Sequence, residues 1–326
     1  MSLPTEKIEF KQARDFGEVF NTSILFVKEN FKPLFFGLLL IAGPFVLVGS
    51  VLPILINLKL TSGGFNIGME NSDFLYQLGA STLVNVASSL IGGVMVVGVV
   101  YEYILLYMEG DLPVIRTSDL WKAIRSDFFQ LLGNMVGTFL AYIFGLGILS
   151  FILFSLFAQM GIFITVIGFL VLMGVWVYSY VPISLVLILN LHERVGLFNA
   201  IYRCFVLIKG HWWETFGLLV VCAIFMFGIS LVSLIPLSLF TYSTDLLTNP
   251  GSSLSITVVI GLLTGIMFTL ATVLVFGLYL TITAFQYFNL LERKDSTGLL
   301  ERIQNIGTPE PISKKTDFYE NEEETY

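Results

Sequence analysis

The sequence predicts an all-α integral membrane protein of six transmembrane helices, arranged as three pseudo-repeated units of an amphipathic interfacial helix plus a transmembrane hairpin. Three observations carry this prediction. Mean hydropathy is +0.85 and 56% of the residues are hydrophobic, the range of membrane-embedded chains. Sixteen of the seventeen Lys and Arg residues fall in four segments, 7–32, 116–125, 194–209 and 293–315, the exception being Lys59. Between these segments lie three apolar stretches, each long enough for two passes of ~20 residues. Cytoplasmic loops collect Lys and Arg, so the same asymmetry predicts cytoplasmic N and C termini and hairpin tips on the other side.

The elements follow in order. Phe16, Phe20, Ile24, Val27 and Phe31 recur at intervals of four, four, three and four, one face of a surface helix that ends in Lys28 and Lys32. The first span is predicted over 33–57. A glycine-bearing connection over 58–80, with Glu70 and Asp73, leads to the second span at 81–108. Trp121, Ile124 and Phe128 mark a second interfacial segment before the third span, 129–157. A tight turn from Gln159 to Gly161 leads into the fourth span, 161–190. Leu197, Ile201, Phe205, Ile208 and Trp212 form a third apolar face before the fifth span, 214–240. Asn249-Pro250-Gly251 is a strong turn signal before the sixth span, 255–288. The tail, 294–326, is acidic and expected to be disordered at its end.

The interfacial segments repeat. Adding 181 to Phe16, Phe20, Ile24, Val27 and Phe31 gives Leu197, Ile201, Phe205, Ile208 and Trp212, and Lys28 maps to Lys209. At an offset of 84, Trp121, Ile124 and Phe128 match Phe205, Ile208 and Trp212. Each copy is expected to end at a polar break (Asn30, Asp127 or His211) before the chain enters the bilayer, and each return leaves it at a glutamate (Glu109, Glu193, Glu292). Residues 1–293 therefore form one membrane domain of three parallel units, about 13–110, 113–194 and 195–293.

Composition excludes several functions. The net charge of −7 owes much to Asp317, Glu320, Glu322, Glu323 and Glu324, so nothing points to nucleic acid. Cys204 and Cys222 stand in no CxxC or zinc pattern, and no disulfide is expected. The first 30 residues are too charged for a secretory leader, so insertion is expected to begin at the first span. No catalytic triad, phosphate loop, HExxH or carboxylate cluster with metal spacing is found, so the protein is expected to be no enzyme and to need no cofactor.

Leu197-Phe198-Asn199-Ala200-Ile201-Tyr202-Arg203, Ile208-Lys209-Gly210-His211-Trp212-Trp213 and Phe216-Gly217-Leu218 resemble a bacterial superfamily of polytopic membrane domains, as does Tyr287-Phe288-Asn289-Leu290-Leu291-Glu292-Arg293. That superfamily includes the membrane domain of some glycerophosphodiester phosphodiesterases and many stand-alone proteins. The resemblance covers most of the chain and implies the bacterial inner (cytoplasmic) membrane. Only 33 residues follow Arg293, too few for a catalytic barrel, so the phosphodiesterase activity does not carry over. A carotene-oxygenase label borne by some relatives fails too, because that chemistry uses four histidines and this chain has two. Some relatives work beside an AAA-type ATPase, an analogy for a partner.

Glu102 is the candidate intramembrane polar site, set about two turns inside the end of the second span. Its ordinary reading is a pair with Arg125 or Arg116; its functional reading is a solute site. His211 suits a helix N-cap and His192 a solvated position. Lys28, Lys32, Lys122, Arg125, Arg203 and Lys209 are the candidate contacts to anionic headgroups, with topology determination as the simpler role. Gly92, Gly93, Gly98, Gly133 and Gly137, and the Gly261–Gly265 pair, suit close helix packing, and Asn85, Asn134, Thr281, Thr283 and Gln286 suit bonds between helices. The expected function is a non-enzymatic membrane protein that contacts lipid or serves as a scaffold or subunit, with a transporter or channel for a small or lipidic solute as the alternative.

Overall fold

The computed structural model describes residues 7–49, 71–110, 115–246 and 254–296. Lys59, the Asn249-Pro250-Gly251 turn and almost all of the acidic tail lie outside them. The described residues form helices α1 (Phe16–Glu29), α2 (Phe31–Gly49), α3 (Asn71–Glu109), α4 (Thr117–Ala158), α5 (Ile162–Glu193), α6 (Leu197–Ile208), α7 (Trp212–Leu246) and α8 (Leu254–Asp295), with no strand among them. Six of these, all but α1 and α6, are long and apolar enough to cross a membrane. The chain is a multi-pass integral membrane protein.

Local chemistry sets the ends and bends. Asp15 caps α1: its side chain accepts from the Glu18 N–H at 2.8 Å while Glu18 accepts from the Asp15 N–H at 3.1 Å, a capping box. In α2 a π-type turn over Leu38–Ala42 precedes Pro44, whose ring would otherwise press on the carbonyl one turn back. Gly161, at φ +102°, makes the tight turn between α4 and α5, and Gly210, at φ +95°, the turn from α6 into α7. Pro182 cannot donate to the Tyr178 carbonyl, and the helix breaks at Ser184 and Leu185. The Trp212 indole N–H from α7 satisfies that carbonyl at 3.1 Å while stacking on the Tyr178 ring.

The core sits at the end of the bundle that carries the positive charges. The returning helices α3, α5 and α8 meet there. Their last turns, Val94–Ile104, Val181–Leu191 and Leu280–Leu291, hold most of the fully buried apolar side chains. Outgoing helices pack around this centre through narrow stripes; in α4 the stripe is Leu120, Ile124, Asp127, Leu131 and Thr138. Glycines let the helices close in. A Cβ on Gly92 would meet Val46 of α2 at 3.1 Å, and one on Gly98 would meet Ile124 and Leu131 of α4 at 3.3 Å. Gly133 has nothing within 4 Å of a Cβ, so the packing role expected of it does not hold.

The entry segments add detail to the sequence reading and correct it at one point. Of the apolar stripe, Phe16 and Ile24 of α1 and Phe31 at the start of α2 are exposed and Phe20 and Val27 are half-buried, while Val19, Ser23 and Phe26 face the core. The helix is apolar on two sides because lipid and protein are both apolar partners. In α6 the buried positions are Ala200, Cys204, Leu207 and Ile208, and the first three stand at the offset of 181 from the buried positions of α1. The break expected at Asp127 is absent, because α4 runs without interruption from Thr117 to Tyr142. Asp127 lies in the buried stripe, where helical hydrogen bonds are favoured over any turn.

Candidate functional site

Each polar residue expected at an entry point bonds to the return of its own hairpin. Asn30 accepts from the Tyr103 hydroxyl of α3 at 2.9 Å. Asp127 accepts from Arg194, just past α5, at 3.3 Å. His211 accepts from Arg293 of α8 at 3.0 Å, and Arg293 also pairs with Glu214. His211 stands immediately before Trp212, at the N-cap position of α7. These ties fasten the entrance of each hairpin to its exit on the basic side.

Polar groups also join the helices inside the apolar body. Asn190, 2% exposed, receives Gln130 at 3.2 Å and Asn134 from α4, and donates to the Val195 carbonyl at 2.5 Å. Gln286 donates to Thr215 at 2.8 Å and Tyr101 bonds Thr283 at 3.1 Å. Asn85 and Thr281, expected to bond between helices, bond within their own. Tyr287 links Glu193 at 3.0 Å to His192 Nδ1 at 2.9 Å. The hydroxyl has one proton, so if it donates to Glu193 it accepts from a protonated Nδ1. His192 is therefore held against Tyr287 and Phe288, not solvated as its sequence position suggested.

No family model, curated protein or solved structure matches this chain. Its site is therefore read from geometry.

Of the six bases singled out, Lys28, Lys32, Lys122, Arg125 and Lys209 are exposed, and Lys122 comes no closer than 4.0 Å to Asp119. Arg203 is different. It bonds Glu193 and Asp295, each at 2.7 Å, and those carboxylates hold its guanidinium above its ordinary pKa. Its charge is used to tie α6 to the ends of α5 and α8. Exposed aromatic residues stand near three of the five other bases: Phe31 next to Lys32, Trp121 next to Lys122 and Trp213 four residues beyond Lys209.

Glu102 lies at the side of a cavity of about 720 Å³ on the basic end. Leu105, Leu106 and Glu109 share its helical face, and Asp127, Leu191, His192 and Arg194 come from α4 and the end of α5. Residues 7–11 form the remaining wall. They are held by Phe10, which is 3% exposed and stacks on Phe285 at 4.2 Å, and by the Ile8 N–H, which donates to the Tyr107 hydroxyl at 3.1 Å. Arg14 anchors the segment. Its N–H donates to Asn289 at 2.8 Å and its guanidinium turns back to the carbonyls of Phe10 and Glu9. Burial pulls the Arg14 pKa below its ordinary value, opposed by Glu9 and Glu18.

Glu102 does not pair with Arg125 or Arg116. Arg125 is exposed, and Arg194, whose charge acts on Glu102, is engaged by Asp127. Glu102 is 5% exposed, and its Oε1 finds no partner among the described residues. The sequence reading found Glu102 but missed Asp127, Arg194 and the 7–11 segment as its neighbours. The signal was present in α4: Leu120, Ile124, Asp127 and Leu131 repeat at four, three and four, which puts a carboxylate in an apolar stripe.

Proposed function

We propose that the protein is a non-enzymatic module of a bacterial inner membrane that holds anionic headgroups against its basic, cytoplasmic end. The observation that carries this reading is the set of exposed bases Lys28, Lys32, Lys122, Arg125 and Lys209 set among exposed aromatic residues where the chain enters its spans. Aromatic rings prefer the interface, and each base near an anionic leaflet contributes ~1 kcal/mol. Membership in the polytopic superfamily and the threefold repeat belong to the same proposal, supported by the shared offset of buried positions in α1 and α6 and by the three entrance-to-exit ties. Anionic lipid is the partner proposed here. Assembly with other membrane proteins or an AAA-type ATPase would build on it.

Native mass spectrometry of protein extracted gently from its own membrane tests this. Retained anionic lipid that is lost when Lys28, Arg125 and Lys209 are changed together to Gln is the expected result. Equal retention by wild type and variant would remove the headgroup role, and stoichiometric protein partners without lipid would make the scaffold role primary. A second reading, transport of a small or lipidic solute, is favoured by one observation, the cavity that reaches Glu102.

A further inference from the structure

A buried polar atom without a partner calls for an explanation. Glu102 carries one in Oε1: the residue is 5% exposed and lines an open cavity, and no donor among the described residues reaches that oxygen. Its carboxyl group lies beside Asp127, whose own partner is Arg194. Counted back seven residues from each exit glutamate, Glu102 corresponds to Val186 and Phe285, both 0% exposed in the core. An apolar side chain fills that place in the other two hairpins without the desolvation cost of a carboxylate.

The walls say what would complete the site. Three bases (Lys7, Lys11 and Arg194) and four carboxyl groups (Glu9, Glu102, Glu109 and Asp127) line the cavity. Arg194 is engaged by Asp127, and Lys7 Nζ donates to the Met108 carbonyl at 3.4 Å. A bare metal ion is a poor fit, because it needs several protein oxygens or nitrogens converging on one point. Among the described residues no three His, Cys, Asp or Glu side chains converge in that way. An organic ammonium needs less. One N–H to a carboxylate and apolar contact for the carbon chain suffice, and Phe10, Leu105, Leu106 and Leu191 supply the contact.

We propose that this cavity binds a primary ammonium group, which donates N–H to the Glu102 carboxylate and lays its alkyl part against Leu105, Leu106 and Phe10. Two sources share that chemistry: a small soluble amine, and the aminoethyl headgroup of a phospholipid that reaches the cavity from the leaflet. The site is separate from the exposed bases that carry the anionic-headgroup reading, so either can fail without the other.

The test uses the full chain in nanodiscs of phosphatidylcholine, whose quaternary ammonium has no N–H to donate. Ethanolamine is titrated while the melting temperature is followed. Wild type is expected to be stabilised by ethanolamine and not by tetramethylammonium, which has the charge without the donor, nor by Na+ or K+ at the same concentration. Glu102→Gln is expected to raise the ethanolamine concentration needed at least tenfold. Glu102→Leu is expected to melt higher than wild type without ligand, which proves it folded, and to ignore ethanolamine. Discs of phosphatidylethanolamine separate the sources: stabilisation of wild type but not of Glu102→Gln, without added amine, assigns the lipid headgroup, and a response to free ethanolamine alone assigns a soluble amine. The proposal is overturned if wild type responds to neither source, if tetramethylammonium or a metal cation acts as well as ethanolamine, or if the response survives Glu102→Gln.

Discussion

Phe285 in α8 and Phe151 in α4 are the same residue type in spans of similar mean hydropathy, 2.1 and 2.3, yet Phe285 is 0% exposed and Phe151 is 74% exposed. They represent the two ends of the molecule. At the basic end the returning helices bury side chains on every side. Toward the opposite end of the middle hairpin, no residue of α4 beyond Thr138 is buried. Lipid tails are as apolar as leucine, so burial against protein and exposure to lipid make the same demand on composition and a different one on shape. In this hairpin packing therefore belongs to the basic end, and the far half mainly satisfies the bilayer.

The sharpest way to break this comparison is to truncate both phenylalanines. Phe285→Ala should destabilise by about 3–5 kcal/mol, the cost of a cavity in a close-packed core. Phe151→Ala, measured in parallel by denaturant titration in mixed micelles, should cost less than about 0.5 kcal/mol. Equal losses would mean that the far half packs as tightly as the near half. Next in size is Asn190→Ala, which removes the side-chain oxygen that accepts from Gln130 and Asn134; a loss of about 2–3 kcal/mol is expected in the same titration. Trp212→Phe keeps the stacking on Tyr178 but removes the donor to its carbonyl, and should cost about 1–2 kcal/mol. The smallest perturbation is chemical. Cys204 is 0% exposed and burial raises its thiol pKa, so maleimide should leave it unlabelled in native membranes at neutral pH and label it after denaturation in SDS. Rapid labelling in the native state would show that α6 lifts from the core.

The spans, the tight turn ending at Gly161 and the N-cap position of His211 were legible because hydropathy, glycine and capping chemistry are local. Which apolar face meets protein was not legible. In α1 both Phe20 and Phe26 suit a hydrophobic partner, and only the position of α3 and α8 decides that Phe26 goes inward. Glu102 was visible as a charge inside a span, but its isolation depends on Arg194 having been taken by Asp127, a contact across 67 residues. The cavity itself was hidden, because one of its walls is a segment at the start of the chain that contains no regular helix.

That wall has a consequence for how the protein is made. The Arg14 N–H closes on Asn289, 275 residues later, and the Arg293 guanidinium returns to the Arg14 carbonyl. Residues 7–15 leave the ribosome before any of the described helices, yet their seat on α8 is synthesised after the other seven. Throughout translation Phe10 has no complete pocket and Arg14 no acceptor to receive its backbone. Docking of this segment is thus a completion step, open only to chains whose last helix has been inserted in the correct orientation. A chain stalled or inverted before α8 would display an unseated, charged and aromatic segment, a mark by which membrane proteases can tell unfinished copies from finished ones.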